Sequence, residues 1–144
     1  MSDLFTARQT SAVHVFNLSL GDEDTDAAVV DSLLRDARAF YDSLGHHYRV
    51  VARPAGALRP AQSYGVAVEM FSPHRNAYVE VGSLAAYGDY LGRRMMLKAV
   101  AEEGQQPTGA LADLRVVSGT VADVTRLVGC LVEASQDEEG DYVL

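Results

Sequence analysis

Two apolar stretches joined by a short polar segment constrain the fold of this chain more than any other feature. Residues 66–71 (V-A-V-E-M-F) and 78–83 (Y-V-E-V-G-S) predict strands, and the segment S-P-H-R-N between them is typical of a hairpin loop. Strands joined by so short a loop pair antiparallel. The middle of the chain is therefore predicted to form a β-hairpin.

The elements around this hairpin do not follow a regular strand–helix alternation. Further strands are predicted at residues 11–18, 48–52 and 114–117, and helices at residues 27–44, 89–103 and 121–134. The first helix is the best defined, because acidic residues precede it and Gly45 follows it. This order predicts an α+β fold, with an antiparallel or mixed sheet packed against helices.

The length, charge and cysteine content of the chain limit the classes of protein to which it can belong. The 144 residues predict one domain at residues 1–135, followed by an acidic, mobile tail at residues 136–144. The net charge of −8 disfavours free binding to nucleic acid. No apolar run is long enough to cross a membrane, and we expect no signal peptide. Cys130 is the sole cysteine, which favours a reducing, cytoplasmic location.

Two carboxylates lie inside otherwise apolar strands. Glu69 and Glu80 either point to the solvent face of the sheet or form part of a polar floor that holds a ligand. The hairpin brings the two residues near each other. Glu80 and Ser83 together offer hard oxygen atoms that suit Mg²⁺ shared with phosphates.

A second group of residues allows both a structural and a functional interpretation. Arg126 lies in the last predicted helix, either on its exposed side or reaching over the sheet to a base or phosphate. His14 on a strand is more often structural, and His46 and His47 lack partners at metal-ligand spacing. Cys130 is predicted to be a buried, inert thiol.

Several passages, in order, resemble the seryl-tRNA synthetases. Residues 40–51 (F-Y-D-S-L-G-H-H-Y-R-V-V) resemble the family passage Y-x-x-L-G-L-P-Y-R-V-V, and residues 76–94 resemble N-T-Y-R-E-I-S-S-C-S-N-F-G-D-F-Q-A-R-R. Residues 117–133 are similar to motif 3, L-N-G-S-G-L-A-V-G-R-T-L-V-A-I-L-E. The resemblance covers nearly the whole chain from Leu4 and implies a class II catalytic domain built on an antiparallel sheet.

The resemblance implies a role for each matching residue. Glu80 and Ser83 match positions that bind Mg²⁺ and the phosphates of ATP, and Arg126 matches the arginine that packs on the nucleotide. Thr120 matches a small hydroxylic residue that helps recognise serine. Glu69 matches the glutamate of Y-D-L-E, which makes it a candidate catalytic residue. The implied cofactors are therefore ATP and Mg²⁺, and the implied ligand is an amino acid or an aminoacyl adenylate.

The departures from the family pattern are equally informative. His14 replaces a glutamate that contacts the amino acid, and Ser118 replaces the asparagine of motif 3. The resemblance does not include the tRNA-binding arm, motif 1 or the first strand of motif 2, which carries an arginine for the α-phosphate. Arg8 is the nearby candidate substitute for that arginine.

These matches and departures predict a truncated paralog that acts outside translation. It would bind ATP, an amino acid or an aminoacyl adenylate, and assist aminoacyl activation or transfer in specialised metabolism. The alternative is a non-catalytic paralog or one subunit of a split enzyme, whose function is protein–protein association. A homodimer or a partner protein is expected in either case because a free sheet edge invites pairing, whereas tRNA is not expected to be a partner.

Overall fold

A five-stranded antiparallel sheet organises the chain. The computed structural model describes residues 9–103 and 106–136, with the backbone alone at residues 101–103 and 106–110. The elements are β1 (Ala12–Ser19), α1 (Glu23–Ser43), β2 (Tyr48–Ala52), β3 (Tyr64–Ser72), β4 (Ala77–Ala86), α2 (Tyr90–Met95), β5 (Lys98–Glu103), β6 (Gln106–Asp113), β7 (Arg115–Asp123) and α3 (Val124–Ala134). The sheet order is β1-β7-β4-β3-β2, and β5 pairs with β6. The predicted α+β fold is confirmed.

The predicted hairpin is the centre of this sheet. β3 and β4 pair antiparallel, and Glu69 lies directly opposite Glu80. The register shifts between Val68 and Glu69, whose partners in β4 are Gly82 and Glu80, so that Val81 is an extra residue in β4. An extra residue of this kind is a β-bulge, which changes the direction of the side chains on either side of it.

The hydrophobic core lies between the sheet and the helices α1 and α3. The N-cap Asp22 and Thr25 form a reciprocal capping box that starts α1, and Gly45 (φ +70°) follows its end, as the sequence predicts. The buried side chains come from α1, α3 and the inner face of the sheet; among them are Val30, Leu34, Ala37, Tyr41, Val68, Met70, Val81, Val117, Leu127 and Cys130. Within the described residues, no helix is both long and apolar enough to span a bilayer.

Three predicted elements have wrong bounds, namely the helix at residues 89–103, the strand at residues 114–117 and the helix at residues 121–134. The helix predicted at residues 89–103 ends at Met95, because Met96 adopts a left-handed conformation (φ +54°) and Lys98–Glu103 forms the strand β5. β6, the partner of β5, was not predicted. The strand predicted at residues 114–117 extends to Asp123, which then caps α3, so that residues 121–123 are strand rather than helix. Residues 137–144 of the predicted mobile tail lie outside the described residues.

One buried ion pair fastens the start of α1 to the start of β7. Arg115 Nη2 donates to Asp26 Oδ2 at 2.7 Å, and both side chains are largely buried (15% and 7% exposed). The hydrogen bond to Asp26 raises the pKa of Arg115 above its ordinary value. Removal of one partner would leave the other charge buried and uncompensated.

We expect Asp26→Asn to lower the free energy of unfolding by about 3 kcal/mol. Asp24→Asn is the matched control, because Asp24 is also an acidic residue of the first turn of α1 but is exposed. Chemical denaturation of both variants measures the difference. Equal, small losses in the two variants would contradict the structural importance of the pair.

Candidate functional site

The face of the sheet opposite α1 and α3 carries the polar side chains. Apolar side chains of β3 and β4, such as Val68 and Val81, enter the core on the helical side. Glu69, Glu80 and Ser83 are only partly buried, as expected for side chains on the opposite face. The sequence had left open whether the two glutamates are solvated or form a polar floor; the structure places them on this polar face.

The β-bulge in β4 brings Glu80 and Ser83 to the same face. In a regular strand, residues three positions apart point to opposite faces. Because Val81 is an extra residue, this alternation is reset, and both Glu80 and Ser83 line one cleft. The sequence identified the pair as a possible ligand set, but regular alternation would have separated them.

Three polar side chains form a row across β1, β7 and β4. Thr120 is the cross-strand partner of both His14 and Ser83. Thr120 Oγ1 lies 3.1 Å from His14 Nδ1, within hydrogen-bonding distance. These three residues, which the resemblance singled out at distant positions of the sequence, are therefore neighbours.

This row forms part of the wall of a cleft of about 220 Å³. Five of the candidate site residues line it, namely His14, Glu80, Ser83, Ser118 and Thr120. Two adjoining clefts, of about 260 and 310 Å³, share Glu80 with it and include Arg126. The first cleft alone is smaller than a typical pocket for a drug-sized ligand, and the adjoining clefts extend it along the sheet.

Arg53 is a site residue that the sequence analysis missed. Its Nη2 donates to Glu80 Oε2 at 2.5 Å, and it lines the cleft. Arg49 of β2, four residues earlier, pairs with Glu69 at 2.7 Å. One arginine in the strand predicted at residues 48–52 and a second directly after it, next to a hairpin with two glutamates, were the signal that could have revealed both pairs.

Glu69 lies outside the cleft and pairs with Arg49. Besides its ion pair with Glu69, the Arg49 guanidinium lies 3.6 Å from the centre of the Tyr78 ring, a cation–π contact. Glu69 is not among the residues that line the 220 Å³ cleft. Its catalytic role stays a prediction. Arg8, the predicted substitute for the α-phosphate arginine, lies outside the described residues.

Arg126 reaches the same surface from the start of α3. Its Nη1 donates to the backbone carbonyl of Glu80 at 3.0 Å, and its Nε lies 3.5 Å from Asp123 Oδ2. The pairing of β4 with β7 ends at Ser83, so the Glu80 carbonyl lies beyond this ladder and is available to the arginine. The structure thus brings Arg126 and Glu80 together, through the backbone of Glu80 rather than its carboxylate.

The oxygen atoms of Glu80 and Ser83 fit Mg²⁺ only if a bound ligand supplies further oxygen atoms. Among residues 9–103 and 106–136, no group of three or more His, Cys, Asp or Glu side chains is arranged to hold a metal. Glu80 and Ser83 offer one carboxylate and one hydroxyl, and Arg53 already neutralises that carboxylate. Mg²⁺ is commonly bound by one or two carboxylates together with substrate phosphates and water. A phosphate-bearing ligand would therefore have to supply the remaining oxygens.

Cys130 lies in the core, away from the cleft. Its side chain is fully buried, and burial raises the pKa of the thiol to about 11, with a smaller contribution from Glu133. The thiolate, which is the reactive form, is thus strongly disfavoured near neutral pH. The predicted buried thiol is confirmed.

We expect the Cys130 thiol to react with a disulfide reagent at about pH 8 only as fast as the protein unfolds, because the folded state keeps the thiol protonated and buried. Addition of guanidinium chloride should release one thiol equivalent at once. Absorbance of the released reagent anion measures both rates. Rapid labelling of the folded protein would contradict this description of Cys130.

Comparison with known proteins relates the chain to serine–tRNA ligases. It is 32% identical over 130 residues to the serine–tRNA synthetase-like protein Slimp of Drosophila melanogaster. The aligned region covers 90% of this chain and 26% of Slimp. It is 28% identical over 138 residues to the cytoplasmic serine–tRNA ligase of Dictyostelium discoideum, covering 95% of this chain and 30% of the ligase. No protein-family model matches the chain.

Solved structures agree with the sequence comparison. The cytoplasmic serine–tRNA ligase of Naegleria fowleri, in complex with AMP, superposes with a TM-score of 0.81 at 27% identity, over 96% of this chain and 32% of that one. The seryl-tRNA synthetase of Pyrococcus horikoshii, complexed with ATP, has a TM-score of 0.82 at 21% identity, over 97% and 30%. The chain thus spans less than a third of the length of these relatives.

Proposed function

We propose that this chain binds an aminoacyl adenylate, or the amino acid and nucleotide that form it, in the cleft on the open face of the sheet. The chain is a homologue of the serine–tRNA ligases and has the fold of their class II catalytic domain. Thr120, Ser83 and His14 would contact the amino acid, with Ser118 beside them. Glu80, Ser83 and Arg126 would hold the nucleotide and any Mg²⁺. The activity we propose is assistance in aminoacyl activation or transfer.

The row formed by Ser83, Thr120 and His14 is the observation that carries this proposal. Two hydroxyls and an imidazole lie side by side on adjacent strands and open into one cleft. Such a row can donate and accept hydrogen bonds in several directions, which suits a small polar ligand such as serine. The adjoining clefts beside Arg126 leave room for a nucleotide to extend from it.

Nucleotide binding by relatives supports the second half of the proposal. The ligase of Naegleria fowleri is complexed with AMP and shares the fold at 27% identity. Arginine side chains suit phosphate, and Arg53, Arg59 and Arg126 all border the clefts. ATP would supply the activated phosphoanhydride, and Mg²⁺ would neutralise its phosphates between Glu80 and Ser83.

We further propose that this function lies outside translation. The net charge of −8 opposes the attraction of a tRNA backbone, so tRNA is not expected to bind. The lone, buried cysteine is compatible with a cytoplasmic location. The acceptor of the aminoacyl group would then be a small molecule or a carrier protein.

We expect Thr120→Val to weaken binding of a non-hydrolysable seryl adenylate roughly tenfold, because a hydrogen-bonding hydroxyl facing the ligand is lost while the shape is kept. Isothermal titration calorimetry, with ATP·Mg²⁺ and with the seryl adenylate, measures the affinities. Ser32→Ala is the control, because Ser32 is an exposed serine on α1. A folded wild-type protein that gives no heat with either ligand would refute the proposed function.

Exposed apolar side chains along β1 favour a second candidate function, association with a second copy of the chain. Within the described residues β1 pairs with β7 alone, and Val13, Phe16 and Leu18 are 55%, 56% and 43% exposed. The sequence of β1, A-V-H-V-F-N-L-S, carries no Asp, Glu, Lys or Arg, so two copies could pair antiparallel without charge repulsion.

We expect Phe16→Lys to convert a dimer of the wild-type chain into a monomer, because a charge on an edge strand opposes strand pairing. Val128→Lys on α3 is the matched control, since Val128 is 50% exposed but belongs to a helix rather than to the free edge of the sheet. Light scattering coupled to size exclusion measures the mass. A wild-type monomer, or equal dissociation in both variants, would exclude association through β1.

A further inference from the structure

Arg59 differs from the other arginines around the clefts in having no protein anion. Arg53 pairs with Glu80, and Arg126 lies against Asp123. Within the part of the chain that the structure describes, the Arg59 guanidinium makes no ion pair and no hydrogen bond, although its backbone N–H donates to Gln62 Oε1 at 2.9 Å. It borders both the 220 Å³ cleft and the adjoining 260 Å³ cleft.

The loop that carries Arg59 is fixed against the wall of the cleft. The Gln62 side chain accepts from the Arg59 N–H, the Gln62 N–H donates to the Arg59 carbonyl at 2.8 Å, and Gln62 Nε2 lies 3.4 Å from the Tyr87 hydroxyl. Ser63 donates to the carbonyl of Ala86 from both its N–H and its hydroxyl. Pro60 restricts the backbone of Arg59 as well. The backbone at Arg59 is therefore pre-organised, so that only its exposed side chain has to be ordered when a ligand binds.

The surroundings of Arg59 favour an oxyanion as its partner. Ser83 and Thr120 line the same two clefts and bring hydroxyl donors to them. Phosphate accepts several hydrogen bonds at once, and a guanidinium donates two in parallel. The chain carries a net charge of −8, so an unpaired cation in a cleft provides a local site where an anion is attracted rather than repelled.

We propose that Arg59 binds the phosphate group of the ligand in this cleft, with Ser83, which the proposed function already assigns to the nucleotide, as a hydroxyl donor. This inference rests on the proposed function for the identity of the ligand, but it concerns the phosphate alone. Arg53 remains engaged with Glu80, and Arg126 with Asp123 and the Glu80 carbonyl. Arg59 is the cation that the phosphate can use without breaking an existing ion pair.

The test compares Arg59→Gln with wild type for four probes in calorimetry: AMP, inorganic pyrophosphate, adenosine and serine. We expect the variant to bind AMP and pyrophosphate at least about tenfold more weakly, because a charge-assisted hydrogen bond is lost. Adenosine and serine should bind as in wild type. Arg59→Lys should retain part of the affinity, and Arg35→Gln, an exposed arginine of α1, is the matched control. Circular dichroism verifies that each variant is folded.

The outcomes separate this inference from the proposed function. If AMP and pyrophosphate bind Arg59→Gln as tightly as wild type, the role of Arg59 is refuted while nucleotide binding stands. If wild type binds pyrophosphate through Arg59 but neither AMP nor a seryl adenylate, the proposed function fails and the inference stands. An equal loss of serine affinity would show that Arg59 binds a carboxylate, which overturns the inference. A wild type that binds no phosphate probe refutes both.

Discussion

The β-bulge at Val81 is the constraint on which the candidate site depends. It places one extra residue in β4, so that Glu80 and Ser83 lie on the same face of the sheet. Regular alternation would have placed them on opposite faces. A second register shift, between Val13 and His14 of β1, leaves Val121 as the extra residue in β7. The two bulges meet where the Val121 carbonyl approaches Gly82; a Cβ on Gly82 would come within 2.5 Å of that oxygen.

The core holds these irregularities in place from the other side of the sheet. The fully buried Tyr41 of α1 donates its hydroxyl to the Val121 carbonyl at 2.8 Å, and burial raises the pKa of that hydroxyl to about 12. The Val121 carbonyl, which the bulge removes from the regular strand pairing, thereby accepts a hydrogen bond from Tyr41. The polar face opposite is fixed by ion pairs, of Arg49 with Glu69 and of Arg53 with Glu80. One face thus stabilises the fold, while the other carries the hydroxyls and arginines of the candidate site.

Local patterns and the family resemblance predicted much of this structure, and tertiary pairing decided the rest. The helical spacing and caps of α1 and the turn between β3 and β4 are local signals, so both were predicted. The helix predicted at residues 89–103 failed because β6 pairs with Lys98–Glu103, a partner that no local pattern reveals. The resemblance singled out His14, Ser83 and Thr120, but the bulge that aligns Glu80 with Ser83 was beyond sequence reasoning. The arginines that pair with the glutamates, Arg49 in β2 and Arg53 directly after it, were visible in the sequence and were missed.

The most direct test of the cleft is to observe where a ligand binds. Backbone and side-chain NMR resonances can be followed while a non-hydrolysable seryl adenylate is added to the isotopically labelled protein. The cleft predicts the largest shifts at Ser83, Thr120 and His14, with little change in the exposed residues of α1. Shifts confined to α1 or to the edge of β1, or no shifts at all, would contradict the assignment of the open sheet face as the ligand site.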